Sequence, residues 1–359
     1  MRGAPAAALV GAMLITFAAP AAANTQTRVV ATGFVAVTTG TGSMQIFSFD
    51  LQGGHEKRLT QGTADRHYPS LAPDGTRLLY TGEDGGLAEV YLLDLVDPSA
   101  TPRVITKAPI TANSASWSPD GATILYSALL PRQKAYQIFK SHPDGSGVVQ
   151  LTHTGNSGNA SPVFSPDGSR IAYINGSPAG GKTSGLVDRI WLMDSDGTNA
   201  RPLTAGPRDA YPAWLNTNTV LFARSFGADR GTQVFAVGLD GAERALSPAG
   251  QLLVEPKPLP DGRGYGATQS TRSGLGLVKV ERSDHAALTS TVPAAGFVVT
   301  PIEVPPHDGS VFTLDWILVD APAARGGGAG IPVWLAAAIL GAVALAIAVL
   351  VGLRRLRRT

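Results

Sequence analysis

A Ser-Pro-Asp-Gly turn recurs along the chain, each time between an aromatic or apolar residue and a short apolar run. No other feature limits the fold as much. It stands as Phe164-Ser165-Pro166-Asp167-Gly168 ahead of Ile171-Ala172-Tyr173, as Trp117-Ser118-Pro119-Asp120-Gly121 ahead of Ile124-Leu125-Tyr126, and as Leu71-Ala72-Pro73-Asp74-Gly75 ahead of Leu78-Leu79-Tyr80. Looser copies centre on Trp214 and on Leu259-Pro260-Asp261-Gly262, and a degenerate sixth is placed at Pro306-His307-Asp308-Gly309. The residues that open the first five turns are 44 to 50 positions apart. A period of that length marks stacked or radially arranged units, none of which can bury its apolar face alone.

Within each period a second apolar run follows, as at Val90-Tyr91-Leu92-Leu93, Ile138-Phe139, Ile190-Trp191-Leu192-Met193 and Val234-Phe235-Ala236-Val237. A last short run ends in Leu-Thr or similar, at Leu59-Thr60, Ile105-Thr106, Leu151-Thr152 and Leu203-Thr204. Four short strands per period, joined by turn residues, make one propeller blade. Pro presets φ at the first corner of each turn, Asp bonds nearby backbone and Gly takes the positive φ that closes the hairpin, so the repeated Asp residues read as turn formers rather than acids or ligands. Six units predict an all-β, six-bladed β-propeller. The last blade is expected to close from both ends of the chain, with residues 297–304 as one inner strand and either residues 34–37 or residues 311–314 as its neighbour.

The pattern Trp-Ser-Pro-Asp-Gly-x-x-Ile-x-Tyr, then Ile-Phe/Trp followed by Asp-Gly, then Leu-Thr, resembles the TolB-type family of WD-like β-propeller repeats over about residues 45 to 310. The resemblance implies an exported propeller that binds proteins at the mouth of its central channel.

Both ends of the chain carry addressing signals. Arg2, the apolar run to Ala19 and the small residues Ala21 to Ala23 have the layout of a secretory signal peptide over residues 1–23. Residues 24–320 form the propeller, 321–330 a Gly/Ala/Pro tether and 331–353 an uninterrupted apolar run, which as a helix spans roughly 34 Å and crosses a bilayer. Arg354, Arg355, Arg357 and Arg358 in the tail 354–359 put the C-terminus in the cytoplasm and the propeller outside. The expected location is therefore a bacterial plasma membrane, with one C-terminal transmembrane helix.

Removing Arg2 with the leader and assigning those four arginines to the tail turns the formal charge of +2 into −3 for the ectodomain. The pI of the whole chain thus gives no reason to expect nucleic acid. With no Cys, thiolate chemistry and thiolate-bound metals are excluded, and the six His show no paired ligand spacing, so no metal or cofactor is expected. Gly176 to Thr183 fits the Gly-x-x-x-x-Gly-Lys-Thr pattern, but a repeat strand rather than a helix follows, so no nucleotide is expected. No Gly-x-Ser-x-Gly elbow occurs, and the protein is not expected to be an enzyme.

The surface most open to a partner lies where each unit enters its innermost strand. There the chain offers Asp65, Arg66, His67 and Tyr68, then Asn113, Asn159, Arg208, Asp209, Tyr211 and Glu255. Charged pairs beside Tyr suit contact with an envelope protein or peptide. The alternatives are that these residues only fill the channel mouth, or that acids and arginines there serve an envelope glycan hydrolase or lyase.

Overall fold

The structure is a computed structural model. It describes residues Val30 to Val319 apart from 39–42, 51–53, 98, 107–109, 156, 177–187, 207, 228–229, 260–261, 272–273, 285, 289–295 and 303–310. The signal-peptide, tether, transmembrane and tail segments lie outside the described residues, as do Asp308 and most of the Gly-Lys-Thr loop. No described helix is long and apolar enough to cross a membrane.

The described strands form six four-stranded antiparallel sheets. The chain opens with β1 (Val30–Thr38), β2 (Met44–Asp50) and β3 (Gly54–Arg58). Sheet 2 holds β4 (Arg66–Leu71), β5 (Arg77–Gly82), β6 (Glu89–Asp94) and β7 (Arg103–Val104). Sheet 3 holds β8 (Thr111–Trp117), β9 (Ile124–Leu129), β10 (Gln137–Ser141) and β11 (Val149–Gln150). Sheet 4 holds β12 (Gly158–Phe164), β13 (Arg170–Gly176), β14 (Arg189–Asp194) and β15 (Arg201–Pro202). In sheet 5 are β16 (Asp209–Asn216), β17 (Thr219–Ser225), β18 (Thr232–Gly238) and β19 (Glu243–Ala245). Sheet 6 has β20 (Leu253–Pro258), β21 (Gly264–Thr271), β22 (Gly274–Arg282) and β23 (Phe297–Ile302). The last strand, β24 (Val311–Val319), joins β1, β2 and β3 as sheet 1 in the order β24-β1-β2-β3.

Five sheets are thus built from consecutive strands and the sixth from the two ends of the chain, which ties the ring shut. The first strands touch in sequence, β4 beside β8, β8 beside β12, β12 beside β16, β16 beside β20, and β24 beside β4. The closure differs in detail from the sequence expectation. Residues 297–302 are the outer strand of sheet 6, paired with β22. Of the two candidates for the second strand of the closing sheet, residues 34–37 hold that place and residues 311–314 lie in β24, the first strand. An apolar run such as Phe297-Val298-Val299 reads alike in an inner and an outer strand, so only pairing partners separate the two.

The repeat owes its regularity to two local devices. In the turns, Asp74, Asp120 and Asp167 each accept the backbone N–H two residues on, at 2.9, 3.0 and 3.1 Å, while Gly75, Gly121 and Gly168 take φ of 72, 67 and 71°. Asp144, Asp196 and Asp240 cap the outer turns in the same way. All six Asp are therefore turn formers, as expected from their recurrence. The Leu-Thr ending supplies the second device: the hydroxyls of Thr60, Thr106, Thr152, Thr204 and Ser247 accept the N–H of Ile46, Val90, Ile138, Ile190 and Val234 at 2.8–3.0 Å. Each buried hydroxyl closes the third strand of its sheet where the ladder alone would leave a donor unpaired.

Candidate functional site

Antiparallel order places the start of every first strand, together with the loops between second and third strands, on one face of the ring. Each first strand of sheets 2 to 6 carries a bulge two or three residues in. The ladder registers break between His67 and Ser70, Asn113 and Ser116, Ala160 and Val163, Ala210 and Ala213, and Val254 and Lys257. The first residue inside each break has positive φ: Tyr68 55°, Ser114 53°, Ser161 50°, Tyr211 59° and Glu255 59°. Pro69, Pro162, Pro212 and Pro256 follow four of them and have no N–H to give a ladder. Non-glycine residues in this region carry strain of order 1 kcal/mol or more, held by the surrounding sheet. The same bulge is repeated in five sheets; four of its residues, Tyr68, Ser114, Ser161 and Tyr211, border one central space, and the fifth, Glu255, is buried against Thr268.

Tyr68, Ser114, Ser161, Tyr211 and Lys257 line a tunnel at the axis of about 40 Å³. That is room for a few waters and well below the size of a small-molecule pocket. The open surface is therefore the mouth above the tunnel rather than the tunnel itself.

The ten residues singled out in the sequence divide sharply. Arg208 is exposed at the mouth. Arg66 pairs with Asp84 at 2.9 Å and lies 5.5 Å from the Tyr91 ring, while Asp65 accepts the Met44 N–H at 2.7 Å. Asn113 is half-buried, opposite Ser127 in the ladder. Asn159 is wholly buried and committed to scaffold: it donates to Thr154 Oγ1 at 2.6 Å and Gln137 Oε1 at 3.1 Å, and accepts from Asn175 at 2.8 Å. Asp209 is also fully buried, gripped by Arg224 at 2.6 and 2.8 Å, and Arg224 reaches on to Glu243 at 2.6 Å. Tyr68 and Tyr211 share one core cluster with Trp214 and Phe222. Sequence reading missed Asp84, Arg224, Glu243 and Gln137, whose signal is weak because each partner pair joins strands 15 to 22 residues apart. It also missed Asp188 beside Arg208, whose carboxyl burial pushes up to about 6, with Arg208 opposing the shift.

His67 and Glu255 are buried titrating groups of the first strands. Burial, with the Arg66 charge adding to it, pulls His67 down to about 4, so its 3.7 Å approach to Glu83 Oε1 is not an ion pair at neutral pH. Burial pushes Glu255 up to about 8, opposed by a hydrogen bond from Thr268 Oγ1 at 2.9 Å and by the charge of Lys257. An acid raised on folding keeps its proton when the unfolded chain has lost it, so its contribution is present at low pH and is lost from about 4.5 up to about 8. A base depressed on folding acts in the opposite sense, costing stability as pH falls from 6.5 to about 4. Between pH 6.5 and 8 only Glu255 of the two acts. Glu255→Gln is therefore expected to flatten the fall of the urea midpoint across that window, and an unchanged slope would contradict the assignment.

A ring of four-stranded antiparallel sheets closed by strands from both ends, with a bulged first strand at the axis of each consecutive sheet, defines a β-propeller. The sequence matches the family described as TolB beta propeller domain over residues 16–175 and 84–251, and the chain belongs to that family. Among curated relatives it is 32% identical over 148 residues to an uncharacterized Agrobacterium fabrum protein, Atu1656, covering 40% of this chain and 44% of the relative. It is 29% identical over 142 residues to a TolB homolog of Chlorobium chlorochromatii, covering 39% and 30%. The chain thus matches less than half the length of these relatives. In fold it is similar to TolB from Acinetobacter baumannii, with a TM-score of 0.59, 17% identity, and coverage of 78% of this chain and 65% of that one.

Proposed function

We propose that this protein is a membrane-anchored, extracytoplasmic propeller that binds a protein or peptide of the cell envelope at its channel mouth and performs no catalysis. The observation that carries this reading is the charged rim: Arg132 and Arg208 stand exposed on the face where the first strands begin, above bulge residues that, apart from half-buried Ser161, are themselves buried scaffold. The space bordered by the described first-strand residues is small, and this reading places recognition at the rim, where Arg132 and Arg208 are exposed. Anchoring is assigned to residues 331–353, with the propeller outside and the six-bladed ring complete.

The test is Arg132→Glu with Arg208→Glu in the full chain. Both side chains are exposed, so the fold should persist while capture of the envelope partner falls roughly tenfold, the loss of about 1.4 kcal/mol. Unchanged capture by a folded double variant would contradict the reading.

A further inference from the structure

The face opposite the mouth, where the Ser-Pro-Asp-Gly turns lie, carries a second site. It is visible by comparing two neighbouring junctions of the same ring. Between sheets 2 and 3, Arg77 leaves the first turn, donates from Nη2 to Asp74 Oδ2 at 3.0 Å and lies with Cζ 4.7 Å from the centre of the Trp117 ring. Its Nη2 rests 3.4 Å from where a Cβ on Gly121 would stand. An internal guanidinium thus fills this junction, paired at its edge and stacked on its face.

The junction between sheets 3 and 4 repeats the frame without the guanidinium. Asp120 stands for Asp74, Phe164 for Trp117 and Gly168 for Gly121. The packing of the turns is the same, with Pro73 Cδ 3.7 Å from the Cβ position of Gly121 and Pro119 Cδ 3.8 Å from that of Gly168. Thr123 occupies the place of Arg77, and a cleft of about 540 Å³ opens there, lined by Asp120, Thr123, Phe164, Asp167 and Gly168. Lys140 and His142 form its third-strand wall. The Lys140 ammonium donates to the Ser195 carbonyl at 3.2 Å and acts on Asp196, so its charge is directed at the neighbouring turn. The hydroxyls of Ser165 and Ser169 and the Ser169 N–H hold Asp167 down at about 2, and Asp120 is lowered by Ser118 and the Ala122 N–H, so both carboxyls are anionic at neutral pH.

We propose that this cleft binds an arginine side chain presented by a partner polypeptide, its guanidinium stacked on Phe164 and paired with Asp120 as Arg77 is with Trp117 and Asp74. A lysine ammonium has no flat face to lay on the ring and no fork for the carboxylate, so arginine is preferred. The site faces away from the mouth and stands or falls independently of the function proposed there.

Saturation-transfer NMR of N-acetyl-arginine amide on the full chain tests it. Binding to the wild type is expected, with N-acetyl-lysine amide and the Asp120→Asn variant each roughly tenfold weaker. Asparagine keeps the acceptor that the Ala122 N–H uses, so the turn survives that change. Thr123→Arg should supply the missing side chain from within, abolish binding and raise the melting temperature. Equal binding of the lysine analogue, no binding at all to the wild type, or undiminished binding to folded Thr123→Arg would overturn the proposal. If Thr123→Arg fails to fold, the Asp120→Asn and lysine comparisons decide it.

Discussion

Arg224→Met should lower the unfolding free energy by about 3–5 kcal/mol, because it leaves the carboxylate of Asp209 buried and uncompensated. Asp209 begins β16 with no exposed surface, Arg224 sits on β17 and Glu243 on β19, so one guanidinium joins the first, second and fourth strands of sheet 5. Arg224 also packs 5.2 Å from the Phe222 ring and 5.0 Å from that of Phe235, a contribution of packing that methionine largely retains in volume, so the predicted loss is mainly the stranded charge. The double variant Arg224→Met/Asp209→Leu separates the two causes. Removing the stranded charge should restore most of the stability in urea unfolding. A double variant as unstable as the single one would show that the charge is not the cause.

Trp214→Ala is expected to cost a similar amount, about 3–5 kcal/mol, through the cavity left in the cluster that sheets 4 and 5 share. Trp214 is 9% exposed, and its Nε1 donates to the Val163 carbonyl at 3.2 Å, which stitches one sheet to the next. Trp117 makes the equivalent bond to the Ser70 carbonyl at 3.0 Å. Trp214→Phe keeps most of the buried ring and loses only that bond, so it should cost about 1–3 kcal/mol. Denaturant midpoints of the two variants measure the difference, and equal losses would mean that the inter-sheet bond, not the ring, dominates.

These two residues show what could be read in the chain before its structure. Trp214 stands at a repeat marker, and its role follows from the period: an aromatic or apolar residue recurring ahead of the turns must pack between sheets. The turn Asp residues were legible for the same reason, since a residue that recurs at one phase of a repeat serves the repeat; the Leu-Thr recurrence was equally visible, but the bond its hydroxyl makes to the third strand was seen only in the fold. Asp209 was not legible. Its position at the start of a first strand marks it as rim, yet its partner Arg224 lies in the second strand, and nothing in spacing distinguishes an acid that faces the rim from one that turns inward. Asn159 misleads in the same way, being held by Gln137 from the preceding sheet. The five-fold bulge was half visible, as an X-Pro step after Tyr68, Ser161, Tyr211 and Glu255, but the positive φ of those residues is a property of the closed ring. The Arg77 to Thr123 change was visible in the aligned turns and became meaningful only when the two junctions could be compared in space.

The claim that recognition takes place at the mouth is tested most directly by placing a photo-crosslinking residue at one position at a time in the full chain, in its own cell envelope. The positions are 132 and 208 at the rim, 298 on the outer edge of sheet 6 and 240 in an outer turn of the opposite face, both away from the cleft between sheets 3 and 4. Adducts of one discrete mass from 132 and 208, absent from 298 and 240, are the predicted result. Adducts from 298 or 240 with none from the rim would contradict it.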